Sequence, residues 1–289
     1  MRKLLILLIL IACASPALAL SGLSMMKVEI GARPVGMGGA FTAVVDDPMT
    51  AVYNPAGVGG VRGLAGVVGH IDYWENTAVN NGYVVFEKHN IVFNAGIRYA
   101  EIGDLKAYGD VPSSEPLYLF ENQTAIIKAG AAFRVHRLVT VGASIGWYFE
   151  KLDDYRGDAL GADFGLLVTP IPRLTAGLAV LNLGTKMKIN IDEYDLPTTT
   201  RFGVSYELDR FRPALDIVYF DDETRLHLGG EYTIREIFTL RAGYRSGYDS
   251  KDMSAGAGFR HRNFRIDYAY LPFDNEHDNT HMFNLTFTL

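Results

Sequence analysis

Cysteine is all but missing from this chain, with Cys13 the single one in 289 residues. Without cysteine pairs there are no disulfide staples, so stability has to come from size and topology. Long apolar runs are missing as well. Beyond the first 19 residues no stretch approaches the roughly 18 consecutive apolar residues of a membrane-crossing helix, which excludes a helical membrane protein. Basic charge is in deficit, with 27 Lys and Arg against 33 Asp and Glu and a formal charge of −6, an argument against nucleic acid as a partner. There is no Walker loop, no HExxH pair and no CxxC, so the common nucleotide, zinc-protease and thiol-redox signatures are lacking.

What is present begins with an export signal over residues 1–19. Arg2 and Lys3 form a basic start, Leu4–Ala12 a short apolar run, and Ala17-Leu18-Ala19 a small-residue cleavage site before Leu20. Leu10-Ile11-Ala12-Cys13 resembles a lipoprotein cleavage site, but using it would leave a signal of only 12 residues. Cleavage after Ala19 leaves 270 residues (289 minus 19), no cysteine, and a charge of −8 (25 basic against 33 acidic residues).

The dominant pattern after residue 60 is an alternation of period two, the signature of strands with two unlike faces. Val139, Val141, Ala143, Ile145, Trp147 and Phe149 alternate with Thr140, Gly142, Ser144, Gly146, Tyr148 and Glu150. Leu226, Leu228, Tyr232 and Ile234 alternate with Arg225, His227, Glu231 and Thr233; Phe238, Leu240, Ala242 and Tyr244 alternate with Thr239, Arg241, Gly243 and Arg245. The last residues repeat the pattern, Phe283, Leu285, Phe287 and Leu289 against Asn284, Thr286 and Thr288. Strand starts are expected near Val61, Asn81, Ile91, Leu119, Leu138, Asp158, Arg173, Thr199, Phe211, Thr224, Phe238, Met253, Phe264 and His281, about 14 strands of roughly 9–12 residues, the length of a tilted bilayer-crossing strand.

Connections alternate in length. Tight turns are expected near Arg137, Ile171, Asp209, Arg235 and His261, and longer loops at 101–117, 151–157, 184–198, 246–252 and 272–279, with 220–223 as a short exception. The longer loops carry Asp153, Asp154, Asp192, Glu193, Asp195, Asp249, Asp252, Asp274, Glu276 and Asp278; the short turns carry His136, Arg137, Arg173, Arg210, Arg235, His261 and Arg262. Outer-membrane barrels place short turns in the periplasm and long loops outside. A soluble β-sandwich is the alternative, but its strands average about 5–6 residues, and a sandwich gives no reason for one aromatic face and one face of paired charge.

These observations favour an all-β transmembrane antiparallel barrel of about 14 strands in the bacterial outer membrane. Hydrocarbon offers backbone groups no partner, so a spanning sheet must close on itself. The apolar face meets lipid; the other face places Arg225, His227, Glu231, Arg241, Arg245, Arg265 and Asp267 in the lumen. Trp74, Tyr148, Tyr219, Tyr244 and Tyr270 are candidates for the interfacial aromatic girdles. The apolar alternation that runs to Leu289 suits recognition by barrel-assembly machinery, although an aromatic terminal residue is more usual.

Residues 20–60 do not alternate and read as a compact plug ahead of a barrel over 61–289. Gly36, Gly38 and Gly39 permit close packing and positive φ. Asp46-Asp47-Pro48 reads as a turn or helix start, and Asn54-Pro55-Ala56-Gly57 as a second turn. The run Gly31–Gly39, Ala40-Phe41-Thr42-Ala43, the Asp46-Asp47 pair, the Tyr53-Asn54-Pro55-Ala56-Gly57 close and the stretch from Gly258-Phe259-Arg260 to His281 together resemble the PorV/PorQ family, which is similar to the FadL group of long-chain fatty-acid transporters. Val45 departs from the family pattern, where a small residue is commoner. The resemblance implies a 14-stranded barrel with an N-terminal hatch that includes Asn54, Pro55 and Ala56. It implies one of two roles: a component of type IX-like secretion, whose partners are secreted cargo and secretion-system subunits, or a channel through which a hydrophobic ligand enters, passes the hatch and leaves sideways.

Signals for chemistry are weak. Gly142-Ala143-Ser144-Ile145-Gly146 matches a nucleophile-elbow pattern, but it lies inside an alternating strand rather than at a strand-to-helix turn. Gly36-x-Gly38 has Phe41 where a dinucleotide site needs a third glycine. His277 and His281 flank Asp278 near Asp274 and Glu276, a composition more typical of a solvated acidic loop than of a metal site. No enzyme activity, cofactor or metal is expected.

Overall fold

The computed structural model describes residues 23–73, 77–109, 113–248, 252–272 and 279–289. The export signal with Cys13, the candidate girdle residue Trp74, and the loop residues Asp249, Asp274, Glu276, His277 and Asp278 lie outside the described residues.

Fourteen antiparallel strands close into one barrel. In chain order they are β1 (Leu64–Tyr73), β2 (Thr77–Lys88), β3 (Ile91–Ala107), β4 (Tyr118–His136), β5 (Val139–Leu152), β6 (Tyr155–Ile171), β7 (Leu174–Gly184), β10 (Thr199–Tyr206), β11 (Phe211–Phe220), β12 (Glu223–Ile234), β13 (Phe238–Ser246), β14 (Met253–His261), β15 (Phe264–Leu271) and β16 (Thr280–Thr288). Between β7 and β10, the short strands β8 (Met187–Ile189) and β9 (Asp192–Tyr194) form a separate hairpin that is not part of the barrel sheet. Closure is made by β1 on β16, from Ala65 opposite Thr288 to Asp72 opposite His281. No edge is left, so the soluble-sandwich alternative fails. Among the described residues no helix is long and apolar enough to cross a membrane; the crossing is made by strands.

Alternation sets the faces as expected. On β5, Val141, Ile145 and Trp147 are exposed on the outside while Ser144, Tyr148 and Glu150 are buried within. On β12 and β13, Leu228, Tyr232, Leu240 and Tyr244 point outward, and His227, Glu231, Arg241 and Arg245 are buried. Tyr148 corrects its expected place in an aromatic girdle: it is on the inner phase of β5, 1% exposed, with its hydroxyl donating to Asn182 Oδ1 at 2.8 Å.

The loops depart from expectation at one end. The expected loop at 151–157 is a two-residue turn, because β5 and β6 stay paired up to Leu152 opposite Tyr155. The expected loop at 101–117 begins as strand up to Ala107, paired with Tyr118 after a bulge between Ile102 and Leu105. Here β3–β6 run 14–19 residues, longer than a bilayer needs. Above the membrane a strand has no reason to carry an apolar outer face, so Glu101, Asp104 and Lys151 read as loop although the hydrogen-bond ladder continues past them. The hairpin β8–β9 packs against this raised wall, with Met187, Ile189 and Leu196 buried beside Ile126, Tyr148 and Ala159.

Residues 23–60 occupy the lumen. They comprise a 3-10 turn Ser24–Lys27, short helices Ala32–Gly36 and Thr50–Tyr53, and a 3-10 segment Pro55–Gly60. Most of their side chains are buried, including Ala32, Val35, Met37, Phe41, Val44 and Val58. The segment starts beside the hairpin, where Leu23 and Met26 join its apolar cluster, and leaves at the opposite end, where Gly63 precedes β1.

Candidate functional site

The site is built where the lumen segment meets the inner wall. Small residues permit the meeting. A Cβ on Gly243 would overlap the Gly38 nitrogen, and one on Gly229 would overlap the Met37 carbonyl. Gly38 and Gly39 themselves have φ of 63° and 74°, a left-handed conformation that favours glycine. Gly36 brings the helix Ala32–Gly36 within van der Waals reach of Gly256 on β14.

Two charge networks follow. The first lies toward the end where the barrel wall begins with β1 and finishes with β16. Arg33 donates to Glu231 at 2.6 and 3.0 Å and to Asp47 at 3.1 Å. Asp47 also pairs with Arg265, which donates to Asp267 at 2.6 Å; Asp267 pairs with Arg241 at 2.9 Å, and Arg241 returns to Glu231 at 3.1 Å. The circuit is closed, and each of its members has a side chain under 10% exposed. Asp46 sits at its edge, part-exposed, held by Arg33 at 3.0 Å and Arg212 at 2.9 Å. Buried charge is tolerated only with partners of this quality.

The second network lies higher in the lumen. Asp216 accepts from the Phe41 and Thr42 nitrogens at 3.0 Å, from the Thr42 hydroxyl at 2.6 Å and from Arg201 at 3.0 Å. Arg245 pairs with Glu29, and His227 Nε2 lies 3.0 Å from the Tyr248 hydroxyl. Arg225, nearer the rim, pairs with Glu223 at 2.7 Å and stacks on the Tyr248 ring at 4.7 Å. Asn54 is a junction rather than a simple turn residue. Its Oδ1 accepts from Ala56 at 3.0 Å, capping Pro55–Gly60, and its Nδ2 donates to the Thr42 carbonyl at 2.9 Å. Pro55 and Ala56 press on Gly142 and Gly165 of β5 and β6.

The structure thus gathers Asp46, Asp47, Glu231, Arg241, Arg265 and Asp267 into one circuit and sets His227 and Arg245 in another, with Arg225 at its edge through Tyr248. Sequence reasoning missed Arg33, Arg201, Arg212 and Asp216. Three of these had a legible signal: Arg201, Arg212 and Asp216 are charges on the inner phase of alternating strands. Arg33 had none, lying in a segment without periodicity. The nucleophile-elbow pattern is not a strand-to-helix turn: Ser144 lies within β5 on its inner face and donates to Asp163 at 2.6 Å. Among the described residues no cluster of His, Cys, Asp or Glu could hold a metal ion. His281 points outward and contacts the Tyr268 hydroxyl at 2.8 Å.

On the far side of the plug from the first circuit lies a cavity of about 300 Å³. Its apolar lining includes Met26, Val52, Tyr53, Tyr83, Ile126 and Leu181, and its polar lining includes Arg98, Lys128, Asn182 and Arg201. Lys128 is answered by Asp163 at 2.7 Å and by Asn182 Oδ1 at 2.9 Å. Asn182 reaches the lumen because β7 bulges against β6 and gives it a φ of 60°. Arg98 differs. It is 5% exposed, donates to the Met25 and Met26 carbonyls, and has no carboxylate partner among the described residues. Outside the same wall an apolar depression lies over Gly66, Gly82 and Ala95, flanked by Val68, Val84 and Ile97. Tyr83 and Lys128 border both spaces. At that point the wall is one backbone thick, with the Tyr83 ring lying where a side chain on Gly96 would be, and the β2–β3 ladder runs unbroken through it.

No family model matches the chain, and no curated protein matches it. Solved structures do. The Ralstonia pickettii toluene transporter TbuX superposes with a TM-score of 0.68 at 15% identity, covering 90% of this chain and 98% of that one. The Pseudomonas putida toluene transporter TodX gives 0.66 at 12% identity, with 89% and 96% covered. A Pseudomonas aeruginosa FadL homologue gives 0.61 at 12% identity, with 89% and 97% covered. The chain has the fold of these FadL-type transporters, and with a closed ladder and an apolar outer wall it is a β-barrel of the bacterial outer membrane.

Proposed function

We propose that the protein is a channel for uptake of hydrophobic small molecules, and that its ligand is an amphiphile with an apolar body and an acidic head, such as a long-chain fatty acid. The carrying observation is Arg98. A buried guanidinium facing a cavity with only carbonyl partners is costly, and a ligand carboxylate removes that cost while the aromatic and aliphatic lining takes the chain. The lumen segment closes the cavity below, so a ligand that enters from the loop end leaves sideways only if the thin wall at Tyr83 and Gly96, where the ladder is closed, parts to let it reach the bilayer. The alternative role in type IX-like secretion, together with PorV/PorQ membership, has the sequence resemblance at both ends of the chain behind it and no feature of the cavity.

The test is titration of the purified protein with a fluorescent long-chain fatty acid and, in competition, the matching alcohol. Saturable binding is expected, with Arg98→Gln weakening the acid by about tenfold or more, as loss of a charge-assisted hydrogen bond worth about 1.5–3 kcal/mol requires, and leaving the alcohol unchanged. Equal binding of acid and alcohol by the unaltered protein would remove the acidic head from the reading. Absence of any ligand, with a secreted protein co-purifying instead, would replace transport by secretion.

A further inference from the structure

The two ends of the barrel differ in charge in a way the lumen does not use. Six strand connections (β2–β3, β4–β5, β6–β7, β10–β11, β12–β13 and β14–β15) share one end with the two termini of the barrel wall. Every one carries a cation in the turn or on the residue before it: Lys88, Arg137, Arg173, Arg210, Arg235 and Arg262 in chain order; the acids in these connections are Glu207 and Asp209 beside Arg210 and Glu236 beside Arg235. The five arginines are exposed. Arg173 has a solvent-exposed pair with Asp209, whereas Arg137, Arg210, Arg235 and Arg262 form no ion pair among the described residues. At the other end the β5–β6 and β11–β12 turns are Asp153-Asp154 and Asp221-Asp222, and the tip strand β9 begins Asp192-Glu193.

A collar of phenylalanines lies directly inside the arginine ring on the outer face. Phe86, Phe133, Phe211, Phe238, Phe259 and Phe264 are all exposed, and cross-strand ring pairs join Phe86 to Phe93, Phe238 to Phe259 and Phe264 to Phe287 at centroid distances of 5.1–5.2 Å. Exposed aromatic rings around a membrane barrel mark the hydrocarbon–headgroup boundary. At roughly 3.4 Å of rise per residue, arginines one to four residues beyond the collar lie at the depth of lipid phosphates. Short turns and barrel termini belong to the periplasmic side.

We propose that this ring is a docking surface for anionic phospholipid headgroups of the periplasmic leaflet, with the arginines of the turns binding phosphates of lipids whose chains pack on the phenylalanine collar. Arginine suits the task because its planar fork takes two phosphate oxygens at once and its stem lies along the apolar boundary. The inference is independent of what passes through the lumen.

The full-length protein is reconstituted into vesicles of phosphatidylcholine alone and of phosphatidylcholine with phosphatidylglycerol, and its thermal unfolding midpoint is read in each. Phosphatidylglycerol is expected to raise the midpoint, and high salt to abolish the rise. The combined variant Arg137→Gln, Arg210→Gln, Arg235→Gln, Arg262→Gln is expected to lose the rise while keeping the midpoint of the unaltered protein in phosphatidylcholine. Lys106→Gln with Lys188→Gln, at the opposite end, is the control and is expected to keep it. The proposal is overturned if the unaltered protein gains nothing from phosphatidylglycerol, if the four-arginine variant keeps the gain, if the lysine control loses it equally, or if inorganic phosphate at matched ionic strength gives the same rise in phosphatidylcholine vesicles.

Discussion

A carboxylate removed from water has to be answered by cations, and Asp47 is answered twice, by Arg33 from its own segment and by Arg265 from the wall of β15. Burial pushes this carboxyl up, and the guanidiniums of Arg265 and Arg33 more than offset it, so Asp47 sits below the usual carboxylate range. A depressed carboxyl contributes stability that is complete above its unfolded value, about 3.9, and is lost as pH falls through the lower folded value. The lumen segment is therefore expected to stay docked through mildly acidic conditions and to loosen only below about pH 4. Amide exchange over residues 32–53 at stepped pH reads this directly, and loosening already near pH 6 would contradict it. Asp47→Asn leaves two buried guanidiniums short of charge. Breaking a buried pair costs about 3–5 kcal/mol, and the cost is expected as faster exchange in the lumen segment while the barrel strands keep their protection.

Each strand presents lipid on one side and the plug on the other, so adjacent positions should fail in different ways. Leu228 is outward in the middle of β12, and Leu228→Arg is expected to cost roughly 2–4 kcal/mol in bilayer folding. His227 is fully buried against the lumen segment, with its ring where a side chain on Gly39 would stand. His227→Ala is therefore not a silent control, as a bare lumen-facing position would be: the barrel should fold and the segment loosen. Folding yield and segment exchange, measured on both variants, separate the two, and a folding defect of equal size in both would refute the assigned faces. The same alternation explains what could be read in advance. Starts at Ile91, Thr199, Phe211, Phe238, Met253 and Phe264 coincide with observed strands because a turn and a change of phase meet there. The upper parts of β3–β6 were illegible because no lipid demands an apolar face above the membrane. Asn182 was illegible because a bulge breaks the phase that would have pointed it inward. Arg33, at the centre of the first circuit, stands in glycine- and proline-rich sequence where partners are set by tertiary packing alone.

For the molecule as a whole, the question is whether the wall needs its filling. The barrel ladder from β1 round to β16 runs without a backbone bond to residues 23–60 serving as a strand. Several lumen charges also have partners on the wall itself: Arg201 with Asp216, Arg241 with Glu231 and Asp267, and Arg265 with Asp267. Removing the lumen segment takes away Arg33, Asp47 and a large apolar surface, but it leaves a closed sheet lined by paired charge, which water can enter. A chain lacking residues 23–60 is therefore expected to fold as a less stable barrel and to open a pore, since an unfilled polar lumen of this many strands admits water and ions. The complete chain should pass little ion current, because Ala56 and Met37 already touch the wall where a glycine is the largest residue that fits. Single-channel recording in planar bilayers compares the two. Steady conductance from the deletion alone would make residues 23–60 the seal, whereas equal conductance from both would mean that ions bypass the segment and that the packing at Gly142, Gly229 and Gly243 does not close the lumen.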